Sequence, residues 1–192
     1  MGSSEDLCKL TQEAESVLRS LSHLAANNPN ASHFIIASMP PVEVHVSDSL
    51  RLLVKETRIG DNLFGQFALD ELGDSLTINW PSRIKALSAG FGIELSGTRE
   101  WQDFDTLIDL RNALIHGDGN LSEKQRVMKL TKILDLKRRW RRTLDAEWSA
   151  RGVILGSQSV TLSLKVTFDF LTLFDKSLRD YRHRVRSMRN HP

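Results

Sequence analysis

Apolar residues recur along this chain at intervals of three and four, the period that turns one face of a helix inward. From about Glu5 to Ala26, Leu7, Leu10, Ala14, Val17, Leu18, Leu21 and Leu24 share such a face, and Asn27-Asn28-Pro29-Asn30 reads as a turn. The apolar run from His33 to Ala37 is expected to stop at Met39-Pro40-Pro41. A second helix follows from about Val42 to Thr57, with Val46, Leu50, Leu53 and Val54 inward. Gly60-Asp61-Asn62 breaks it, and a short helix covers Leu63 to Leu72.

The stretch from Gly73 to Gly97 is the least patterned, but Trp80-Pro81-Ser82 suits a helix start with proline in the first turn, continuing over Ile84 to Ala89. Gly90-Phe91-Gly92 and Ser96-Gly97-Thr98 read as loops. A strong helix then runs from about Glu100 to His116, closed by Gly117-Asp118-Gly119-Asn120. Ser122 and Gln125 have capping-box spacing and open a long helix to about Trp148, with Leu136, Trp140, Leu144 and Trp148 stepping by four. Gly152 to Ser159 is a turn or extended piece in which Val153-Ile154-Leu155 suits a strand. The last helix spans about Val160 to Arg186, with Val160, Leu164, Phe168, Leu171, Phe174, Leu178, Tyr181 and Val185 as its stripe. These elements predict an all-α fold: a compact helical bundle forming a single domain over residues 1–192, with a short β-hairpin or extended piece near 152–159 and a flexible basic tail from about 187 to 192. No repeat or linker divides it.

Composition narrows the setting. The 192 residues, 40% of them hydrophobic, are enough for one sizeable core. Cys8 is the only cysteine, so no intramolecular disulfide can form, and a reducing compartment fits. No apolar run reaches membrane-spanning length, and the polar, acidic start Met1-Gly2-Ser3-Ser4-Glu5-Asp6 is unlike a signal peptide or a myristoylation site. A cytoplasmic protein with no membrane partner is expected. The formal charge of +2 hides an asymmetry: residues 1–123 carry 9 Lys/Arg and 18 Asp/Glu, and residues 124–192 carry 17 and 6. The basic half suits a polyanion such as nucleic acid, or packing against acidic surface of the same chain or a partner subunit. Walker-type, GxGxxG, HExxH and GxSxG motifs are absent, as is any Cys/His cluster with zinc spacing, so neither cofactor nor metal is expected.

The chemistry concentrates on the helix ending at His116. At 100° per residue, Leu107, Leu110, Leu114, Phe104, Ile108 and Ile115 form one broad arc, while Asp105, Asp109, Asn112 and His116 form a separate polar stripe. Arg111 falls within the apolar arc. Its guanidinium stays charged, so it must find a carboxylate such as Glu43, Glu56 or Asp48, an edge of the core, or a cleft between subunits. His116 lies about 140° around from Arg111 on a straight helix. Alone it reads more readily as a solvated or helix-capping imidazole than as a catalytic one.

Together, Arg111-Asn112-Ala113-Leu114-Ile115-His116, led by Trp101, Phe104, Leu107, Ile108 and Leu110 and followed by Gly117-Asp118-Gly119, resembles the HEPN family (higher eukaryotes and prokaryotes nucleotide-binding domains), whose signature is Arg, a polar residue, three to five residues, then His. The segment looks like the branch linked to bacterial RNA-cleaving and defence proteins. The likeness covers roughly residues 80–186 and is only architectural elsewhere. It implies a helical bundle that homodimerises so that two motifs line one cleft, and a metal-independent endoribonuclease in which Arg111, Asn112 and His116 are catalytic. It also implies a toxin–antitoxin or antiviral setting, with an antitoxin or defence partner protein. The alternative under the same resemblance is a non-catalytic HEPN-type module that binds nucleic acid or protein.

In that chemistry the RNA 2′-hydroxyl is the nucleophile. His116 acts as base or acid, Arg111 grips the phosphoryl oxygens, and Asn112 bonds the phosphate or orients His116. RNA contact is expected from Lys137, Arg138, Arg139, Arg141 and Arg142, with Trp140 assigned to the core, and further from Arg179, Arg182, Arg184, Arg186 and Arg189.

Overall fold

The computed structural model describes residues 10–28, 30–57 and 78–190, with positions 63 and 66 between them. The expected break at 60–62 and short helix over 63–72 therefore lie outside the described residues, as does the predicted start of the first helix. The elements are α1 (Gln12–Asn27), α2 (Ala31–Glu56), α3 (Trp80–Phe91), α4 (Arg99–His116), α5 (Glu123–Arg126), α6 (Leu130–Leu144), β1 (Ala146–Ser149), β2 (Gly152–Leu155) and α7 (Ser159–Asn190). The all-α bundle with a short hairpin is as the pattern predicts.

Thr11 caps α1 through its hydroxyl, and its own N–H and hydroxyl donate to the fully buried Asp175 of α7 at 2.7 and 3.0 Å. The α2 helix does not stop at its prolines. It continues through Pro40 and Pro41 to Glu56, although each removes one i→i−4 hydrogen bond. The reason is burial on both sides of the pair: Phe34, Ile35, Met39, Val42, Val46, Leu50 and Leu53 are essentially inaccessible. Several buried apolar side chains at roughly 1.5–3 kcal/mol each outweigh about 3 kcal/mol per interior proline.

At the centre, the rings of Phe104 (α4) and Phe170 (α7) stack at 4.1 Å and 4°. Trp80 of α3 meets Phe104 edge-on at 4.9 Å, and its indole N–H donates to Glu43 of α2 at 3.0 Å. Three helices thus supply one aromatic cluster, and α2 joins it through Glu43.

The single helix expected over 122–148 is three elements. The capping box of Ser122 and Gln125 is present, yet α5 ends after one turn and the chain restarts as α6. Leu136, Trp140 and Leu144 form the buried stripe, and α6 ends at Asp145 in the left-handed region (φ 50°). Trp148 lies in β1, which pairs antiparallel with β2 in the register Trp148 to Val153. In α7 the buried face is Ser159, Ser163, Val166, Thr167, Phe170, Leu171, Phe174, Asp175 and Leu178, whereas Phe168 is 47% exposed. Small hydroxyl side chains take the close-packed positions in the first half of α7, displacing the Leu164–Phe168 stripe outward. The helix also extends to Asn190, so residues 187–190 of the expected tail are helical.

Candidate functional site

Helix α4 starts at Thr98, whose hydroxyl accepts from the Trp101 N–H at 3.2 Å, and ends at Gly117, whose N–H bonds Ala113 O at 3.1 Å. Glycine is required at 117 by close approach: a Cβ there would stand 2.0 Å from Asn120 O. Phe104, Thr106, Leu107, Leu110 and Ala113 face inward and are buried. Ile108, Arg111 and Asn112 are half-buried, and Ile115 and His116 are exposed. The broad apolar arc therefore splits. Its Leu107–Leu110 side enters the core, and its Ile108–Ile115 side remains on the surface.

Arg111 stands at the boundary between these sides. Its Nη1 donates to Asn112 Oδ1 at 3.1 Å, its buried Nε has no hydrogen-bond partner, and it makes no ion pair among the described residues. The three carboxylates considered for it are engaged elsewhere: Glu43 with Trp80, Asp48 with Arg51 at 2.8 Å, and Glu56 with Arg182 at 3.1 Å. A guanidinium with donors to spare beside an accessible face is a ready acceptor site for an anion. Asn112 Oδ1 accepts the bond from Arg111, and the amide NH₂ makes no hydrogen bond among the described residues. Between Arg111 and His116 the surface presents Ile108, Asn112 and Ile115. On the helix the two positions stand about 140° apart, and no hydrogen bond joins Arg111 to His116.

The polar stripe continues from His116 and Asn112 to Asp109 and Asp105, a pair whose chemistry the sequence did not reveal. Burial raises the carboxyl pKa of Asp109 to about 6, with Asp105 adding to the rise and Arg139 and Gln125 opposing it. Burial also raises Asp105, against the pull of Arg139. Arg139 is the hub. It lies 3.5 Å from Asp109, 3.9 Å from Asp105 and 3.3 Å from Asp135, and donates to Thr106 Oγ1 at 3.1 Å.

The residues expected to contact RNA differ in what already holds them. Arg139 is enclosed by three carboxylates and holds α6 to α4. Lys137 sits 3.9 Å over the ring of Trp148, and Arg141 pairs with Glu147 at 3.1 Å. Both tie α6 to β1. Arg138 and Arg142 remain exposed and make no ion pair among the described residues. The exposed Lys124, Lys129 and Lys132, in α5 and at the start of α6, add cationic surface that the dense 137–142 cluster had overshadowed. In α7, Arg182 is held by Glu56, Arg184 and Arg186 are exposed, and the side chain of Arg189 lies outside the described residues.

Among the described residues no group of three His, Cys, Asp or Glu side chains is arranged to hold a metal ion, and no helix is long and apolar enough to cross a membrane. Comparison with protein-family profiles, with curated proteins and with solved structures finds no match.

Proposed function

We propose that this chain is a metal-independent endoribonuclease of HEPN type that works as a homodimer. The observation that carries the reading is Arg111: a half-buried guanidinium with no carboxylate partner among the described residues, bonded to Asn112 at 3.1 Å, at the edge of an accessible helix face that ends in His116. Unlike Arg139, which three acids surround, Arg111 has no carboxylate paired with it among the described residues, and its charge is available to a ligand. A phosphodiester satisfies it, because the planar fork matches two phosphoryl oxygens. The half-apolar strip of Ile108 and Ile115 suits contact with a second copy, whose two-fold symmetry would bring Arg111 of one protomer toward His116 of its partner.

In the reaction one imidazole accepts the proton of the 2′-hydroxyl as its oxygen attacks phosphorus. The P–O5′ bond breaks, the second imidazolium gives its proton to the departing 5′-oxygen, and the products are a 2′,3′-cyclic phosphate and a 5′-hydroxyl. Arg111 stabilises the charge on the phosphorane. Arg138 and Arg142 hold the backbone of the RNA. A cytoplasmic setting and a role in toxin–antitoxin or antiviral defence follow from the resemblance and the single cysteine. The test is incubation of the purified protein and its His116→Ala variant with RNA in EDTA. Loss of cleavage in the variant supports the reading, and equal activity of the two excludes it.

A second reading is a non-catalytic module that binds nucleic acid or protein through the same face. The exposure of His116 to solvent favours it, since an unsupported imidazole is poorly oriented for proton transfer. On that reading Arg111→Ala weakens folding or dimerisation, while His116→Ala changes nothing.

A further inference from the structure

The hairpin lies outside the motif, yet its second strand grips the loop that ends the motif helix. The Val153 N–H donates to Gly119 O at 2.6 Å. Gly152, at φ 106°, is in a region closed to other residues, and a Cβ there would stand 2.6 Å from the same Gly119 O. The loop in turn folds back on α4. The N–H groups of Gly117 and Gly119 both reach Ala113 O, at 3.1 and 3.2 Å, and Asn120 N–H reaches Gly117 O at 2.8 Å. A chain of backbone hydrogen bonds, with no flexible side chain in it, therefore runs from β2 to the last turn of α4.

The hairpin is itself fastened. Asp145, at its base, accepts from Gly156 N–H at 2.8 Å and Ser159 Oγ at 2.9 Å through its carbonyl, and from Gln158 N–H at 3.0 Å through its carboxylate. Lys137 over Trp148 and Arg141 with Glu147 hold its first strand to α6. A two-stranded ribbon alone is marginal, and four-residue strands need such anchoring to keep a fixed position. Ties of this kind exceed what closing a tight turn between α6 and α7 requires.

We propose that Gly152 and Val153 are positioning residues: they clamp the Gly117–Asn120 loop and so set where the His116 imidazole stands. The catalytic consequence rests on the ribonuclease reading; the geometric claim does not. A misplacement of about 1 Å at a reacting group costs on the order of 10²-fold in rate, so a clamp on the helix end is a kinetic feature.

The experiment compares Gly152→Ala and Val153→Pro with the exposed hairpin control Ile154→Thr. Three readouts are taken: thermal melting; NMR of the His116 imidazole and the 117–120 amides, with His116 assigned by His116→Gln; and kcat and KM on a fluorescent mixed-sequence RNA. Both clamp variants are expected to melt cooperatively, to move the His116 and 117–120 resonances, and to lower kcat about 10- to 100-fold with KM little changed. Ile154→Thr should resemble wild type. Val153→Pro removes the donor and sets its ring Cδ against Gly119 O, so it releases the loop by a second route and carries the test if Gly152→Ala does not fold. Unmoved resonances in a folded clamp variant, moved resonances with unchanged kcat, or unfolding of both variants overturns the proposal. If the wild-type protein leaves RNA intact, the ribonuclease reading falls, and the NMR arm alone decides whether the clamp positions His116.

Discussion

Replacing Asp109 by Asn is expected to stabilise the protein at neutral pH and to leave its stability at acid pH nearly unchanged. The side chain is 23% exposed, and its pKa rises from 3.8 to about 6, chiefly by burial and then by Asp105. At about 1.4 kcal/mol per pKa unit, holding this carboxylate ionised in the native state costs about 3 kcal/mol at pH 7. The folded pKa lies above the unfolded one, so the native state binds more protons between them. The contribution to stability is therefore complete below about pH 4 and is lost as pH rises through about 6. Asn mimics the neutral acid. That figure already includes the opposing pull of Arg139, which keeps Asp105 and Asp135 in the variant, and solvent screening of the partly exposed side chain reduces the expected net gain to about 1–2 kcal/mol at pH 7.5. Urea titrations of both proteins from about pH 4 to pH 8 measure it. The difference in unfolding free energy should open progressively across that window. A pH-independent difference, or a variant less stable than wild type at pH 8, refutes the reasoning.

Phe104→Ala should cost about 3–5 kcal/mol in chemical denaturation, because it empties the centre of the ring cluster with Trp80, Trp101 and Phe170. His45 is 9% exposed against Phe174, and its pKa is lowered by burial, against the pull of Asp175, Glu13 and Asp48. Its stability contribution is present above the ordinary imidazole pKa and fades as pH falls below it, so His45→Phe should flatten the acid limb of a melting-temperature profile below about pH 6.5. Arg138→Ala combined with Arg142→Ala should weaken binding of single-stranded RNA and reduce the slope of log K against log salt by about 1.4, with no change in melting temperature.

How far the chain was legible depends on whether local signals and tertiary packing agree. Helix α4 was readable to within a residue because Thr98 caps its start and Gly117 leaves no room for a side chain at its end. The hairpin was half legible: Val153-Ile154-Leu155 suggested a strand, but its partner lay inside an apparent helical stripe ending at Trp148. That stripe failed where Asp145 turns left-handed, a conformation that step-four spacing does not register. Pro40 and Pro41 misled because core burial overrides a local penalty. The stripe of α7 misled because Ser163 and Thr167, polar by composition, occupy buried positions, where the Thr167 hydroxyl donates to Ser163 O and the small Ser163 side chain permits close packing. At the site, the polar stripe of α4 was visible as a pattern. The capture of Arg139 by Asp105, Asp109 and Asp135 was not, since it depends on how α6 lies against α4.

On the proposed function, Arg111 and His116 cleave a phosphodiester. Its most direct test follows end chemistry on a labelled RNA in EDTA, with wild type, Arg111→Ala and His116→Ala shown by melting to be folded. The expected result is fragments bearing 2′,3′-cyclic phosphate and 5′-hydroxyl ends from the wild-type protein, and rates at least about 10²-fold lower from each variant. RNA left intact by the wild type, or cut equally by all three proteins, contradicts it.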